Sequence, residues 1–322
     1  MGASASGPAV RFGDKPRQIA RSIMLSINKV RHNHATANGV DIHFRSAGSP
    51  DAPALVFLHG TPSSSHMYRN VLSPLAEAAY VIAPDMPAFG FSAMPRKEDY
   101  DYTFENISRT LGALLDDLGL RSYYLYMHDW GVAVGYYLAT RAPDRIRGLI
   151  VQNASAHDEG LGPGWDTTKA FWADPSEENR ARLPEWLNFE GTRETYLGGM
   201  PKALESLAAP ESWHLDWERM SRPGRIEIEF ALFQDFRKHV ARFPEIEAYH
   251  RRYQPRCLLL WGRHDPYFDL NEVMAYNRVL ENVETHIYGS SHFLLETHAL
   301  ECVALIKNFI ENAEATPGYA SA

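Results

Sequence analysis

The sequence predicts an α/β fold in which a mostly parallel, doubly wound sheet carries an inserted helical segment. Short apolar runs typical of buried strands alternate with segments of helical periodicity along most of the chain. From about residue 155 to residue 250 this alternation stops, because helical patterns broken by Pro and Gly replace the strand-like runs. Between residues 123 and 135 an apolar, aromatic run passes into a helix through one tight turn. These observations predict one large domain with a helical cap over the carboxyl edge of its sheet.

The composition is that of an ordinary soluble enzyme. The chain has 322 residues, of which 45% are hydrophobic and 22% charged, and this length is enough for a sizeable core. A formal net charge of −8 argues against nucleic acid as a partner, since nucleic acid binds basic surfaces. No apolar run reaches membrane-spanning length, and no apolar core of a secretory signal is visible.

The two cysteines, Cys257 and Cys302, are too few for a disulfide framework. Cys257 falls in a predicted strand and Cys302 in a predicted helix, so both are expected to be buried thiols. Such usage is typical of a reducing compartment. We therefore expect a cytoplasmic protein without a membrane span.

The predicted domain organisation has three parts. They are an N-terminal extension with an amphipathic helix (1–35), an α/β core (36–154 and 251–316) and a helical cap (155–250). In the extension, the helical pattern over residues 16–31 places four aliphatic side chains on one face: Ile19, Ile23, Ile27 and Val30. This face could target a membrane surface, or it could pack on the body of the protein or on a second subunit. We favour packing, since most amphipathic stripes are buried faces, and a homodimer is then possible.

Histidines near the start of the core do not predict a metal site. His32 and His34 are accompanied only by His43, and no clustered cysteine or carboxylate completes a ligand set. They are better explained as polar positions on an edge strand. Asn38-Gly39 follows, a strong hairpin signal linking this strand to the next one at 40–44. No metal or organic cofactor is expected.

The next elements lead directly to the tight turn. Residues 54–58 form a buried strand that ends in His59-Gly60-Thr61-Pro62, and residues 80–85 form another. Thr103 can cap a helix that Gly119 ends. This helix carries a stripe of aliphatic side chains: Ile107, Leu111, Leu114, Leu115 and Leu118.

Asp129 occupies the turn between the aromatic strand and the following helix, the geometry of a nucleophile elbow. An aspartate with an ordinary pKa of about 3.9 is already an anion at neutral pH. Such a carboxylate attacks saturated carbon, opening an epoxide or displacing a halide, and the ester that forms must be cleaved by water. Asp129 could instead be a solvated acid at a helix start. Matching partners downstream favour the catalytic interpretation.

The stretch His128-Asp129-Trp130-Gly131 resembles the elbow of α/β-hydrolases that use an aspartate nucleophile, the epoxide hydrolases and haloalkane dehalogenases. The resemblance covers about residues 36–312. Met127 departs from the family, which usually has glycine two places before the nucleophile.

The resemblance implies the remaining catalytic residues. The backbone N–H groups of Thr61 and Trp130 would form the oxyanion hole. Asp265, in the Gly-x-x-Asp after the strand at 256–261, would be the acid of the triad, and His292, after the last strand at 283–288, would be its histidine. Asn153 stands where some dehalogenases place the acid, but it is uncharged. The substrate would be a small apolar organic molecule, and water would complete the reaction.

The leaving group is less well determined by the resemblance. Epoxide hydrolases protonate the opening oxygen with two cap tyrosines, and Tyr196 is the candidate for the first. The place of the second tyrosine is taken by Phe236, so Tyr249, Tyr253 or another tyrosine would have to substitute, or one donor would act alone.

The residues also fit other functions. In haloalkane dehalogenases the indole after the nucleophile holds the halide, which Trp130 fits, but Thr61 stands where an asparagine is usual and is a weaker donor. Trp130 also argues against fluoroacetate dehalogenases, which have arginine there. We favour an epoxide hydrolase over a haloalkane dehalogenase. A ligand-binding module without turnover is a third hypothesis, permitted by Met127, and an ester or lactone hydrolase is a fourth, although no Gly-x-Ser-x-Gly occurs.

Overall fold

An eight-stranded sheet runs through the molecule, with the strand order β1-β2-β4-β3-β5-β6-β7-β8. The computed structural model describes residues 29–183 and 185–315. The strands are β1 (Arg31–Ala37), β2 (Val40–Ala47), β3 (Ala54–Leu58), β4 (Tyr80–Pro84), β5 (Tyr123–His128), β6 (Ile146–Gln152), β7 (Cys257–Gly262) and β8 (Val283–Tyr288).

The pairing of the strands confirms the predicted mostly parallel sheet. Strands β3 to β8 pair parallel with one another, whereas β2 pairs antiparallel with β1 and with β4. The hairpin between β1 and β2 turns at Asn38 and Gly39, which both have positive φ, 47° and 78°. Asparagine and glycine tolerate this conformation best. Strand β1 begins at Arg31, so the last residues of the range 1–35 belong to the sheet.

Helices cover both faces of the sheet and form the insertion. They are α1 (Arg69–Leu75), α2 (Phe104–Asp117), α3 (Gly131–Arg141), α4 (Asp166–Ala173), α5 (Glu177–Arg180), α6 (Phe189–Leu197), α7 (Pro210–Met220), α8 (Arg225–Ala241), α9 (Phe243–Tyr253), α10 (Asn271–Val279), α11 (Leu294–Thr297) and α12 (Ala299–Glu314). Thr103 caps α2 as predicted, since its hydroxyl accepts the N–H of Asn106 at 3.2 Å.

Two apolar cores form because successive strand side chains point to opposite faces. In β3, Val56 and Leu58 enter the core that contains α2 and α3, while Leu55 and Phe57 enter the core that contains α1 and α12. This arrangement, a parallel sheet with helices on both faces, is the doubly wound fold that the sequence predicted.

The chain between β6 and β7 leaves the sheet and returns only at Cys257. In its described part this segment contains α4 to α9 and short 3-10 turns, and no strand. Among residues 29–183 and 185–315, no helix has both the length and the apolar character that a membrane crossing requires. The amphipathic helix predicted over 16–31 falls almost entirely outside the described residues.

Candidate active site

Asp129 lies at the apex of the turn between β5 and α3, with a positive φ of 49°. This left-handed conformation is rare for a side chain larger than hydrogen, and it aims the carboxylate above the carboxyl ends of the strands. Gly131 makes the tight passage possible, since a Cβ there would lie 2.1 Å from the carbonyl oxygen of Leu58. The sharp strand–turn–helix elbow therefore depends on a glycine two places after its apex.

Met127, the departure from the family pattern, is accommodated within the same elbow. Its side chain is fully buried. A Cβ on Gly135, one turn into α3, would lie 2.2 Å from the Met127 sulfur. The glycine in the helix thus provides the space that the larger residue in the strand occupies.

Backbone donors hold the Asp129 carboxylate in place. The N–H of Thr61 donates to Oδ1 at 2.8 Å, and the N–H of Trp130 also donates to this carboxylate. Burial raises the pKa of Asp129 to about 6, against the lowering influence of the His292 charge and of the two backbone N–H groups. These two donors are the ones that the family resemblance assigned to an oxyanion hole.

His292 approaches the other carboxylate oxygen. Its Nε2 lies 3.7 Å from Oδ2 of Asp129, and it has no hydrogen-bond partner in the described part of the chain. Its Nδ1 lies 2.8 Å from Oδ2 of Asp265. Burial alone would lower the pKa of His292, but the charge of Asp265, the hydrogen bond to it and the charge of Asp129 together raise it. The imidazole is thus oriented by one carboxylate while its free nitrogen faces the other.

Asp265 is itself oriented by its own loop. Its Oδ1 accepts the N–H groups of Tyr267 at 2.7 Å and of Phe268 at 3.2 Å. Asn153 joins the end of β6 to the end of β7, because its side chain donates to the carbonyl of Gly262 at 3.1 Å and accepts its N–H at 2.9 Å. The uncharged residue at this position therefore aligns the strand that leads to Asp265.

A cavity of about 480 Å³ opens above Asp129 and His292. Its aromatic walls come from both the strand ends and the insertion: Trp130, Trp165, Trp186, Phe233, Tyr267 and Phe268. Three exposed glutamates line it as well: Glu185, Glu190 and Glu194. Among the described residues, no lysine or arginine lines this cavity. The site is an apolar chamber with carboxylates at its rim.

Tyr196 does not occupy the substrate-facing position that the sequence led us to expect. It is fully buried and is not part of the cavity lining. Its ring stacks on that of Phe293, with the ring centroids 3.9 Å apart. Its hydroxyl donates to Asp216 Oδ2 at 2.5 Å and lies 3.3 Å from the hydroxyl oxygen of Ser63. On α6 it is the preceding residue, Thr195, that lines the cavity. Helix α6 is rotated about its axis so that Thr195 faces the cavity and Tyr196 packs behind it, away from the cavity.

The other tyrosines named as substitutes also lie away from the cavity lining. Tyr249 is buried against Tyr136 and His250, and Tyr253 is 38% exposed. Tyr267 does line the cavity, and sequence reasoning missed it. Its position two places after the candidate triad acid was the available signal.

A buried ion pair behind Thr61 was also missed. The Thr61 hydroxyl donates to Glu229 of α8, and Glu229 pairs with Arg225 at 2.6 Å, with both charged side chains almost fully buried. Arg225 donates in turn to the carbonyl of Ala88 at 2.9 Å. The loop that carries Thr61 is thus joined to the insertion by charged groups. Within the described residues, no group of three or more His, Cys, Asp or Glu side chains could hold a metal ion.

Comparison with known proteins places the chain in a family. Residues 53–198 match the family model described as alpha/beta hydrolase fold. An uncharacterized hydrolase of Saccharomyces cerevisiae is 32% identical over 286 residues, which cover 87% of this chain and 97% of that protein.

Two further relatives are similar over shorter stretches. A haloalkane dehalogenase of Bradyrhizobium diazoefficiens is 40% identical over 121 residues, 38% of each chain. Epoxide hydrolase 2 of Siraitia grosvenorii is 36% identical over 132 residues, 41% of this chain and 40% of that protein. With the sheet topology and the full-length similarity to the yeast hydrolase, the conclusion is that this chain belongs to the α/β-hydrolase family of enzymes.

Proposed function

We propose that this hydrolase acts through a covalent ester on Asp129 and opens an epoxide to a diol. One observation carries the proposal. Asp129 Oδ1 accepts a backbone N–H, while Oδ2 faces His292 Nε2 at 3.7 Å, and this nitrogen has no other hydrogen-bond partner in the described part of the chain. One oxygen is held still and the other is directed at the space where substrate and water must meet.

In the first step, a carboxylate oxygen of Asp129 attacks a saturated carbon of the substrate. The carbon–oxygen ester bond forms as the bond to the leaving group breaks. This step requires Asp129 to be ionised and does not require His292 to act as a base.

In the second step, His292 Nε2 removes a proton from water and the hydroxide attacks the ester carbonyl of Asp129. The negative charge of the tetrahedral intermediate falls on the oxygen that the Thr61 N–H holds, with the Trp130 N–H donating to the same carboxylate, and one such donor lowers the barrier by about 3 kcal/mol. Asp265 stabilises the imidazolium. When the intermediate collapses, the bond between the carbonyl carbon of Asp129 and the alkoxy oxygen of the product breaks. The imidazolium gives its proton to that oxygen as the alcohol leaves.

The lining of the cavity supports a small, neutral, apolar substrate. The aromatic walls favour apolar groups, and the glutamates at the rim would repel a carboxylate. The partial similarity to an epoxide hydrolase agrees with a neutral electrophile of this kind.

A haloalkane is the second candidate substrate, favoured by the Trp130 indole in the cavity lining beside Asp129. An indole N–H can hold a departing halide. The Thr61 hydroxyl cannot assist it, however, because it donates to Glu229. Because the Thr61 hydroxyl is already bound to Glu229, we rank the epoxide above the haloalkane as the substrate.

The insertion, residues 155–250, would act as a cap that closes the site over the strand ends. Trp165 and Trp186, both from the insertion, line the same cavity as Asp129 and His292. This placement supports a role for the insertion in selecting the substrate.

A His292→Gln variant tests the chemistry directly, because it should complete the first step and stall before the second. Intact-mass spectrometry should then show an increase in the mass of the protein. After mixing with 1,2-epoxyhexane the increase should equal the full mass of the epoxide, and after mixing with 1-bromohexane it should equal the mass of the bromide less that of hydrogen bromide. Peptide mapping should place either adduct on Asp129, and a His292→Gln, Asp129→Asn double variant should show none.

Three outcomes would contradict parts of the proposal. An adduct on a serine would exclude Asp129 as the nucleophile. An adduct with the bromide alone would move the assignment to a dehalogenase. Saturable binding without any adduct would favour the ligand-binding module.

A further inference from the structure

Tyr267 is a cavity-lining phenol that the two steps above leave unused. It lies in the loop after β7, half-buried, and lines the same cavity as Asp129 and His292. Of the tyrosines in the described part of the chain, it alone lines this cavity.

The loop holds Tyr267 in a defined position relative to the triad. Its N–H donates to Asp265 Oδ1 at 2.7 Å, and its carbonyl accepts the indole N–H of Trp165 at 2.7 Å. Its ring meets the His292 ring edge-on, with centroids 5.1 Å apart. Three contacts to site residues therefore position the phenol, and two of them involve the candidate triad itself.

The hydroxyl of Tyr267 is placed to donate a proton. It forms a side-chain hydrogen bond with Thr195 of α6, which also lines the cavity. The Thr195 hydroxyl itself donates to the carbonyl of Gly191 at 2.9 Å. With the threonine proton directed at that carbonyl, the phenol keeps its own proton, which it can donate to a substrate oxygen in the cavity.

The other hydroxyls considered for this role are committed elsewhere. The Thr61 hydroxyl donates to Glu229, and the Tyr196 hydroxyl donates to Asp216 outside the cavity. Ring opening of an epoxide leaves negative charge on oxygen, so an acid near the site lowers the barrier.

Tyr267 remains protonated and competent under ordinary conditions. Burial raises its pKa to about 12, with the hydrogen bond shared with Thr195 opposing the rise and the charges of Asp265, Glu194 and Asp129 adding to it. A phenol of this acidity is neutral at pH 7, yet it is still a better proton donor than water, whose pKa is about 15.7.

We propose that Tyr267 is a catalytic residue that donates its phenolic proton to the epoxide oxygen while Asp129 attacks carbon. The inference rests on the function proposed above. The Asp129 oxygen–carbon bond forms, the ring carbon–oxygen bond breaks, and the oxygen takes the proton from Tyr267. When ester hydrolysis regenerates Asp129 as the acid, its proton is released and the phenolate is reprotonated through water.

The test compares two electrophiles of one carbon skeleton in the His292→Gln background, where only ester formation is observed. With 1,2-epoxyhexane, adding Tyr267→Phe should slow the single-turnover rate of adduct formation at least about 100-fold, the contribution expected of a general acid. With 1-bromohexane the rate should change less than about twofold, because bromide leaves without a proton. Tyr253→Phe, an exposed phenol outside the cavity lining, is the matched control and should leave both rates unchanged.

The outcomes separate the two proposals. If the His292→Gln parent forms the epoxide adduct and Tyr267→Phe leaves its rate unchanged, Tyr267 is excluded while the function of Asp129 stands. An equal loss with both electrophiles would show a structural effect and would overturn the acid role. If the parent forms no epoxide adduct, both proposals fail together. Slowing of epoxide opening by Tyr196→Phe instead would assign the proton to the buried tyrosine.

A second measurement covers the case in which Tyr267→Phe misfolds. A fluorinated tyrosine at position 267 keeps the shape of the ring and makes the phenol more acidic. The alkaline pH at which epoxide opening begins to slow should move down with each added fluorine, while the bromide profile stays fixed. An unmoved epoxide profile would exclude proton donation by this residue.

Discussion

The two walls of the candidate active site are built in different ways. On the strand side, Asp129, Asp265 and His292 each follow a parallel strand, and backbone N–H groups hold both carboxylates. On the side of the insertion, Trp165 and Trp186 line the cavity from chain that contains no described strand. The two carboxylates fixed by backbone donors thus lie at strand ends, whereas the insertion contributes aromatic surface and three exposed glutamates to the cavity.

Buried polar groups join the two walls. Glu296 pairs with Arg69 at 2.8 Å and accepts the N–H of Ala209 and the hydroxyl of Ser212 at the start of α7. The Glu229 pair and the Asp216–Tyr196–Ser63 chain provide two more connections. The insertion is therefore fastened beside the loop that carries Thr61, so its position can shift the Thr61 N–H that holds the Asp129 carboxylate.

The largest expected effect lies on the strand side. Asp265→Asn should reduce turnover by about 10⁴-fold, the scale found for the orienting carboxylate of a serine-protease triad, because His292 loses its partner. Quenched-flow analysis should show rapid ester formation followed by very slow hydrolysis. Turnover near that of the unmodified enzyme would mean that another group orients His292.

Next in size is the link behind Thr61. Glu229→Ala leaves the Arg225 charge buried without its partner, and breaking such a pair costs about 3–5 kcal/mol of the free energy of unfolding. Urea denaturation measures the loss. The matched control replaces both Arg225 and Glu229 with methionine and should cost much less. Equal losses in the two variants would show that the charges themselves are unimportant.

The pH dependence of ester formation should report on Asp129. Only the carboxylate attacks, and burial raises its pKa to about 6, so activity is present above this pH and is lost as the pH falls through it. Rapid-quench rates should fall about tenfold per pH unit below about 6. In His292→Gln the opposing positive charge is gone, so the fall should begin at higher pH. A profile flat down to pH 4 would place Asp129 in a more polar environment than the structure shows.

The smallest effect is expected on the side of the insertion. Trp186→Ala enlarges the cavity and should change the ratio of kcat/KM between a short and a long epoxide by about tenfold, since apolar contacts differ by about 1–3 kcal/mol. The hydrolysis rate of the alkyl-enzyme should stay the same. Trp217→Ala, in the same insertion but outside the cavity lining, is the control. If Trp186→Ala changed the rate of ester hydrolysis, the insertion would affect the hydrolytic step as well as substrate selection, and the proposed division between the two walls would be wrong.

On the strand side, local sequence signals and the family resemblance together predicted which residues meet. Asp129 was predicted from a strand, a turn and a helix that are adjacent in the chain, and Asp265 and His292 each follow a recognisable strand. The carboxyl ends of parallel strands meet at one edge of the sheet, so residues far apart in sequence come together once the fold is known. Met127 shows the limit of such local prediction, because the space that its side chain fills depends on Gly135 in helix α3.

The sequence by itself determined the fold class and the elbow at Asp129, because strand periodicity and turn chemistry are local properties, and the family resemblance added Asp265 and His292. Only the tertiary structure decided which face of α6 meets the cavity. Thr195 and Tyr196 are neighbours, yet their directions differ by about 100° around the helix axis, and packing sets that rotation. The same holds for Glu229, which meets Thr61 across 168 positions, and for Tyr267, whose proposed role depends on contacts with Trp165 and Thr195 from the insertion. Long-range packing leaves no periodic signal in the chain.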